Sequence, residues 1–186
     1  MRKIAGGLFI LLVFALSACA PPVYRAELLD MQASAPYALD SGDRLRVIVY
    51  GQDSLSNSYN VDGSGQIAMP LIGAVRAAGS STEALERAIE ARLRNGYLRE
   101  PRVAVEVEAY RPFYVIGEVT TAGQYPFVNG MTVQNAIAIA GGFSPRGWTK
   151  GADVTRTIGG RGVTGTVPLG YRLRPGDTIT VRERFL

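Results

Sequence analysis

Apolar and polar residues alternate in several short runs along this chain. Leu45, Val47 and Val49 alternate with Arg46, Ile48 and Tyr50, the two-residue period of a strand. The stretch Asn60 to Leu71 holds Asp62-Gly63 and Ser64-Gly65, turn chemistry that predicts two short strands joined there, with Gln66 to Met69 as the second. Pro70 and Gly73 interrupt the pattern after Met69. The spacing then changes to that of a helix. Ser80 with Glu83 reads as a capping box before Leu85, Ala88, Ile89 and Leu93, which predicts a helix from about Ser81 to Asn95 closed by Gly96. Glu83 with Arg87 and Glu90 with Arg94 read as pairs on its wet face. Val103, Val105 and Val107 alternate with Ala104, Glu106 and Glu108 as a half-buried strand.

Pro112 marks a second boundary. Beyond it the pattern predicts a strand at Phe113 to Glu118, a turn at Ala122-Gly123, a strand at Tyr125 to Val128, and a helix from about Thr132 to Ala140 stopped by Gly141 and Gly142. Asp153 to Ile158, Val163 to Leu169 and Asp177 to Arg182 read as closing strands. The class is therefore α+β. An internal echo aligns Leu39-Asp-Ser-Gly-Asp-Arg-Leu-Arg-Val47 with Leu173-Arg-Pro-Gly-Asp-Thr-Ile-Thr-Val181. Two readings fit it: a duplication, or two strands that use the same preceding turn. In both, Gly42 and Gly176 shape the turn, and Asp43 and Asp177 accept backbone hydrogen bonds rather than do chemistry.

The N-terminus changes the picture of where such a domain works. Arg2 and Lys3 precede an apolar run from Ile4 to Leu16, and Leu16-Ser-Ala-Cys19 closes it. This order reads as a secretory signal over residues 1–18, with Cys19 as the lipidated first residue of the mature protein and residues 19–35 as a tether. A permanent membrane span needs about 20 apolar residues, and Pro21 and Pro22 break the run early. An ordinary secretory signal with a stray cysteine is the other competing reading.

Composition narrows the chemistry. The 186 residues hold one cysteine and no histidine, which removes an intrachain disulfide, the usual zinc ligands and every Ser-His or Cys-His arrangement. Loss of Arg2 and Lys3 would leave 18 basic against 16 acidic residues, scattered along the chain, so no nucleic-acid partner is indicated. Trp148 and Tyr125 are candidate stacking faces for sugars, as are Tyr59, Tyr97, Tyr110 and Tyr114, against core packing as the plainer role. Arg146, Lys150, Arg156 and Arg161 stand near a glycine-rich stretch where they face either an anionic polymer or solvent.

The order of these motifs resembles the polysaccharide export proteins, the Wza-type components of capsule and exopolysaccharide secretion. Tyr37-Ala-Leu-Asp-Ser-Gly-Asp-Arg-Leu-Arg-Val-Ile-Val-Tyr-Gly51, Val61-Asp-Gly-Ser-Gly-Gln-Ile-Ala-Met-Pro-Leu-Ile-Gly73 and Pro101-Arg-Val-Ala-Val-Glu-Val107 look like its export domain. Phe113-Tyr-Val-Ile-Gly-Glu-Val119, Gly123-Gln-Tyr-Pro126 and Ala136-Ile-Ala-Ile-Ala-Gly-Gly-Phe-Ser144 look like the soluble-ligand-binding β-grasp (SLBB) module that comes next in that family. The resemblance implies a small mixed-sheet export domain over residues 36–111 and a β-grasp-like domain with closing strands over 112–186. It implies a non-catalytic lipoprotein without a cofactor or metal, at the periplasmic face of the outer membrane, since Ala20 comes directly after Cys19. It further implies a ring-forming homo-oligomer, an octamer in the family, that passes polysaccharide onward from an inner-membrane co-polymerase or chain-length regulator. The family's C-terminal pore helix has no counterpart before Leu186, so the expectation is either that a separate outer-membrane pore protein completes the channel or that the chain is a periplasmic adaptor. A monomeric saccharide-binding lipoprotein and a carboxylate-dependent glycan-active enzyme are the rival readings.

Overall fold

The computed structural model describes Leu29 and residues 36–184. The signal segment, Cys19 and most of the tether lie outside the described residues. Over residues 36–184 the fold is α+β, mostly strands with two helices. Strand β1 (Arg44–Val49) lies between β2 (Asn57–Asn60) and β5 (Val103–Ala109), antiparallel to both. Strands β3 (Gln66–Met69) and β4 (Gly73–Arg76) form a separate hairpin, and helix α1 (Thr82–Arg94) comes after it. The second sheet has the order β7-β6-β10-β8-β9, from β6 (Phe113–Gly117), β7 (Gly123–Tyr125), β8 (Ala152–Ile158), β9 (Arg161–Val167) and β10 (Thr178–Val181). Helix α2 (Val133–Ile139) packs on it, and β6 runs parallel to β10.

Two cores form, the first from residues before Pro112 and the second from residues after it together with Leu29. Leu45, Val47, Ile67, Val75, Leu85, Ile89 and Leu93 share the first, and Phe113, Val115, Val133, Ile137, Val154, Ile179 and Leu29 share the second. Alternation decides which residues enter them. Asp153, Thr155 and Thr157 point away from the second core, while Ala152, Val154 and Arg156 point into it.

Four local expectations are corrected. The Asp62-Gly63-Ser64-Gly65 loop does not join two paired strands, because β2 pairs with β1 and β3 pairs with β4. Asp62 Oδ1 accepts from the Ser64 N–H, the Ser64 hydroxyl and the Gln66 N–H at 2.8, 2.6 and 3.0 Å, and this local turn redirects the chain into the next layer. The true hairpin closes through Pro70–Ile72, where Leu71 takes φ +67°. Helix α1 is capped by Ser81, whose hydroxyl accepts from the Ala84 N–H at 3.2 Å, and not by Ser80. Glu90 is not on the wet face: its carboxylate accepts the Val103 N–H at 3.0 Å, and Glu86 accepts the Val105 N–H at 2.8 Å, so the helix caps the outer edge of β5. Finally, β7 ends at Tyr125 instead of beginning there, because Pro126 has no N–H to continue the ladder.

Candidate functional site

The two Gly-Asp segments fold alike. The Asp40 N–H donates to Asp43 Oδ2 at 2.9 Å and the Arg174 N–H donates to Asp177 Oδ2 at 2.8 Å. The Asp43 N–H reaches Asp40 O and the Asp177 N–H reaches Arg174 O, both at 3.1 Å. Both carboxylates are completely buried. A buried charge needs a partner, and each has an arginine. Arg156, itself 4 % exposed, grips Asp177 with Nε at 2.8 Å and Nη2 at 2.7 Å, a two-pronged pair. Burial works against the Arg156 charge, and Asp177 more than restores it, so the guanidinium is held charged. Its Nη1 also donates to Leu29 O at 3.2 Å, which ties Leu29 to the second core.

Asp43 accepts the Arg111 N–H at 3.0 Å, Arg111 Nη1 at 3.4 Å and the Tyr37 hydroxyl at 2.5 Å. Burial and the neighbouring carboxylate push the Tyr37 phenol far above its usual range. Arg111 lies between the two turns. A Cβ on Gly42, at φ +92°, would come within 3.3 Å of Arg111 Cβ, and one on Gly176, at φ +84°, within 2.8 Å of Arg111 Nε. Glycine is required at both positions by backbone conformation and by this close approach. The turns and Arg111 floor a cleft of about 510 Å³ at the junction of the two cores, which Arg76, Arg174, Tyr37 and Asp40 also line.

The sequence-predicted contact residues scatter. Tyr125 stacks on Phe113 with centroids 5.8 Å apart and donates to Thr121 O at 2.6 Å, so much of its ring serves the core. Trp148 is half-buried; its ring lies over Gly151, and its backbone N–H donates to Arg182 O at 2.8 Å. Arg146 is 70 % exposed and pairs with Glu118 at 3.3 Å and Glu183 at 3.5 Å. Lys150 is exposed in the same loop. Arg156 does not join them toward a polymer, because its β8 position points inward to Asp177. Arg161 begins β9 on the far side of the Gly159-Gly160 turn. Gly141 and Gly142, at φ +82° and +88°, terminate α2, and the Gly142 N–H reaches back to Ile137 O at 2.9 Å. Among the described residues no three Asp, Glu, His or Cys side chains gather as a metal site, and no helix is long and apolar enough to cross a membrane.

Sequence reasoning passed over Tyr37 and Arg111. The signal was present in the repeat of Gly-Asp: two buried carboxylates call for two cations, and Arg111 immediately precedes the Pro112 boundary.

The profile described as polysaccharide biosynthesis/export protein matches residues 31–108, and that of the SLBB domain matches residues 112–167. The chain belongs to the polysaccharide biosynthesis/export family. Its export domain thus leads directly into an SLBB domain, and the Arg111 junction falls between the two matched segments. Among curated relatives, the exopolysaccharide production protein ExoF of Rhizobium meliloti (strain 1021) is 32 % identical over 118 residues, 57 % of this chain and 28 % of that protein. A polysialic acid transport protein, KpsD of Escherichia coli, is 29 % identical over 111 residues, 59 % of this chain and 20 % of that protein. The matched part therefore covers under a third of the length of these relatives.

Proposed function

We propose that this chain is a non-catalytic component of a conduit that exports capsular polysaccharide or exopolysaccharide. What carries the reading is the uninterrupted order of an export domain and an SLBB domain, each with its own core, in a chain similar to one protein named for exopolysaccharide production and another named for polysialic acid transport. On this reading residues 1–18 are a cleaved signal, Cys19 bears lipid at the periplasmic face of the outer membrane, and 19–35 form the tether. Residues 36–111 then make the export domain and 112–186 the SLBB domain with its closing strands. Copies of the chain close into a ring, which needs a heterologous interface. An inner-membrane co-polymerase feeds the ring, and a separate pore protein completes the passage. The buried acids are neutralised by arginine, which suits a structural rather than a catalytic role for both Gly-Asp turns.

Deletion of the gene should stop polymer from reaching the cell surface while synthesis of its repeat unit continues. Normal surface polymer in the deletion strain would refute the export reading. Mass spectrometry of the mature protein should find a lipid-modified Cys19 as the first residue, and native mass measurement in mild detergent should find a closed oligomer rather than a monomer.

A further inference from the structure

The outer face of the second sheet has an unusual chemistry. One row crosses all five strands as Gln124, Tyr114, Thr178, Thr155 and Thr164, each directly opposite the next. The neighbouring row runs Ile116, Thr180, Asp153 and Thr166. Strand geometry sets such side chains about 4.8 Å apart across strands and about 7 Å apart along them, so the hydroxyls form a regular grid. Tyr114 is 41 % exposed and Ile116 is 45 % exposed at one side of that grid. A β-strand accepts valine or isoleucine as readily as threonine, and an outer face of aliphatic side chains would adhere to other proteins. Threonine keeps this one wet.

We infer that this threonine face of the SLBB sheet is the surface along which the saccharide chain passes, recognised through its hydroxyls and the apolar faces of its rings rather than through charge. The inference rests on the export reading. Tyr114 and Ile116 offer an apolar shelf to the C–H face of a sugar ring, and the tyrosine adds a polar edge. A threonine hydroxyl is one donor and two acceptors, which matches what a sugar hydroxyl presents. Thr155 and Thr164 bond to each other at 2.8 Å, which still leaves acceptor capacity on the pair. Thr178 and Thr180 add hydroxyls that no described side chain engages. The charges on the face are balanced: Arg182 holds Asp153, and Thr166 bridges them, donating to Asp153 at 2.7 Å and accepting from Arg182 at 2.7 Å. A net-neutral face complements the uncharged hydroxyl-bearing part of a glycan and gives it no point of strong attachment, as movement along a path requires. The arginine-lined cleft is the poorer surface for this. Arg111 and Arg156 are held by Asp43 and Asp177, Arg76 donates to Ser64 O and Ala78 O, and Arg174 is also engaged.

The test uses the full-length protein in mild detergent and short oligosaccharides cut from the surface polymer of the cells that make it. Threonine methyl resonances of this face should shift on titration, with an affinity that changes less than about twofold between low and high salt. The triple variant Thr155→Val, Thr178→Val, Thr180→Val should bind about tenfold more weakly with an unchanged melting temperature, and serine at the same positions should restore binding. Tyr114→Ala should weaken it as well. Unchanged affinity in the folded valine variant would overturn the inference. So would sugar-induced shifts confined to the Arg111 cleft. Threonine shifts that track protein concentration but not sugar would overturn it too, and would assign the face to a second copy of the chain. The export reading fails separately, through normal surface polymer in the deletion strain, so a face that fails in a strain that loses export refutes this inference alone.

Discussion

Asp177 and Arg156 are a buried pair whose members cannot be removed singly at low cost. Asp177→Ala leaves a guanidinium only 4 % exposed with no carboxylate, and should lower stability by about 3–5 kcal/mol. Asp177→Leu combined with Arg156→Met removes both charges and should recover a large part of that loss. Urea unfolding of the two variants checks this; equal destabilisation of both would show that the charge pair is not what matters. Tyr37 behaves differently because its titration falls at high pH. Burial and the Asp43 carboxylate raise its folded pKa, whereas the unfolded phenol loses its proton near about pH 10. Its contribution is therefore intact below about pH 10 and is lost as pH rises further, since the unfolded chain then gives up a proton that the folded chain retains. Melting temperatures between pH 9 and 11 should fall more steeply in the wild type than in Tyr37→Phe. Near pH 8 the same substitution should cost about 1.5 kcal/mol for a hydrogen bond to a charged acceptor.

Among the elements, helix α1 shows how a cap selects one of two adjacent serines. Ser80 and Ser81 both precede the apolar spacing, but the Ser80 N–H and carbonyl are already used by Ala77 O and the Leu39 N–H. Ser81 is left at extended φ and ψ with its hydroxyl on the Ala84 N–H. Ser81→Ala should cost about 1 kcal/mol, while Ser80→Ala should change the melting temperature little. A reversed order would move the cap back to Ser80. The edges of the first sheet carry the same lesson. Glu90 reads as a surface charge in sequence, yet it and Glu86 satisfy N–H groups of β5 that would otherwise be open for pairing. Glu90→Ala should raise amide hydrogen exchange at Val103 with little change at Val154 in the other sheet.

For the whole molecule, Arg111 joins two separate cores. It contacts the Gly42 turn of one and the Gly176 turn of the other, and its backbone N–H is itself spent on Asp43. Arg111→Ala should leave both cores intact but loosen their coupling, so that calorimetry shows two unfolding transitions in place of one; a single transition lowered in temperature would mean that the cores depend on each other by another route. Much of this arrangement was legible in the residues. Alternation at Leu45–Val49, Val103–Val107 and Phe113–Val115 identified strands because a period of two needs no distant partner, and the 3.6-residue spacing of Leu85, Ile89 and Leu93 identified α1 in the same way. The order of the motifs identified the family. Partners could not be read so. Whether β3 pairs with β2 or β4 depends on layers that meet in space, and the parallel pairing of β6 with β10 joins segments about sixty residues apart. The four basic residues near the glycine-rich stretch looked equivalent in sequence, yet only the tertiary structure turned Arg156 inward to Asp177 and left Arg146 outside. Five threonines on three strands likewise form one face only after the sheet has brought β8, β9 and β10 side by side. Local sequence determines period and turn, because those depend on neighbours a few bonds away; the partner of a buried charge and the membership of a face are decided by which distant segments the two cores bring together.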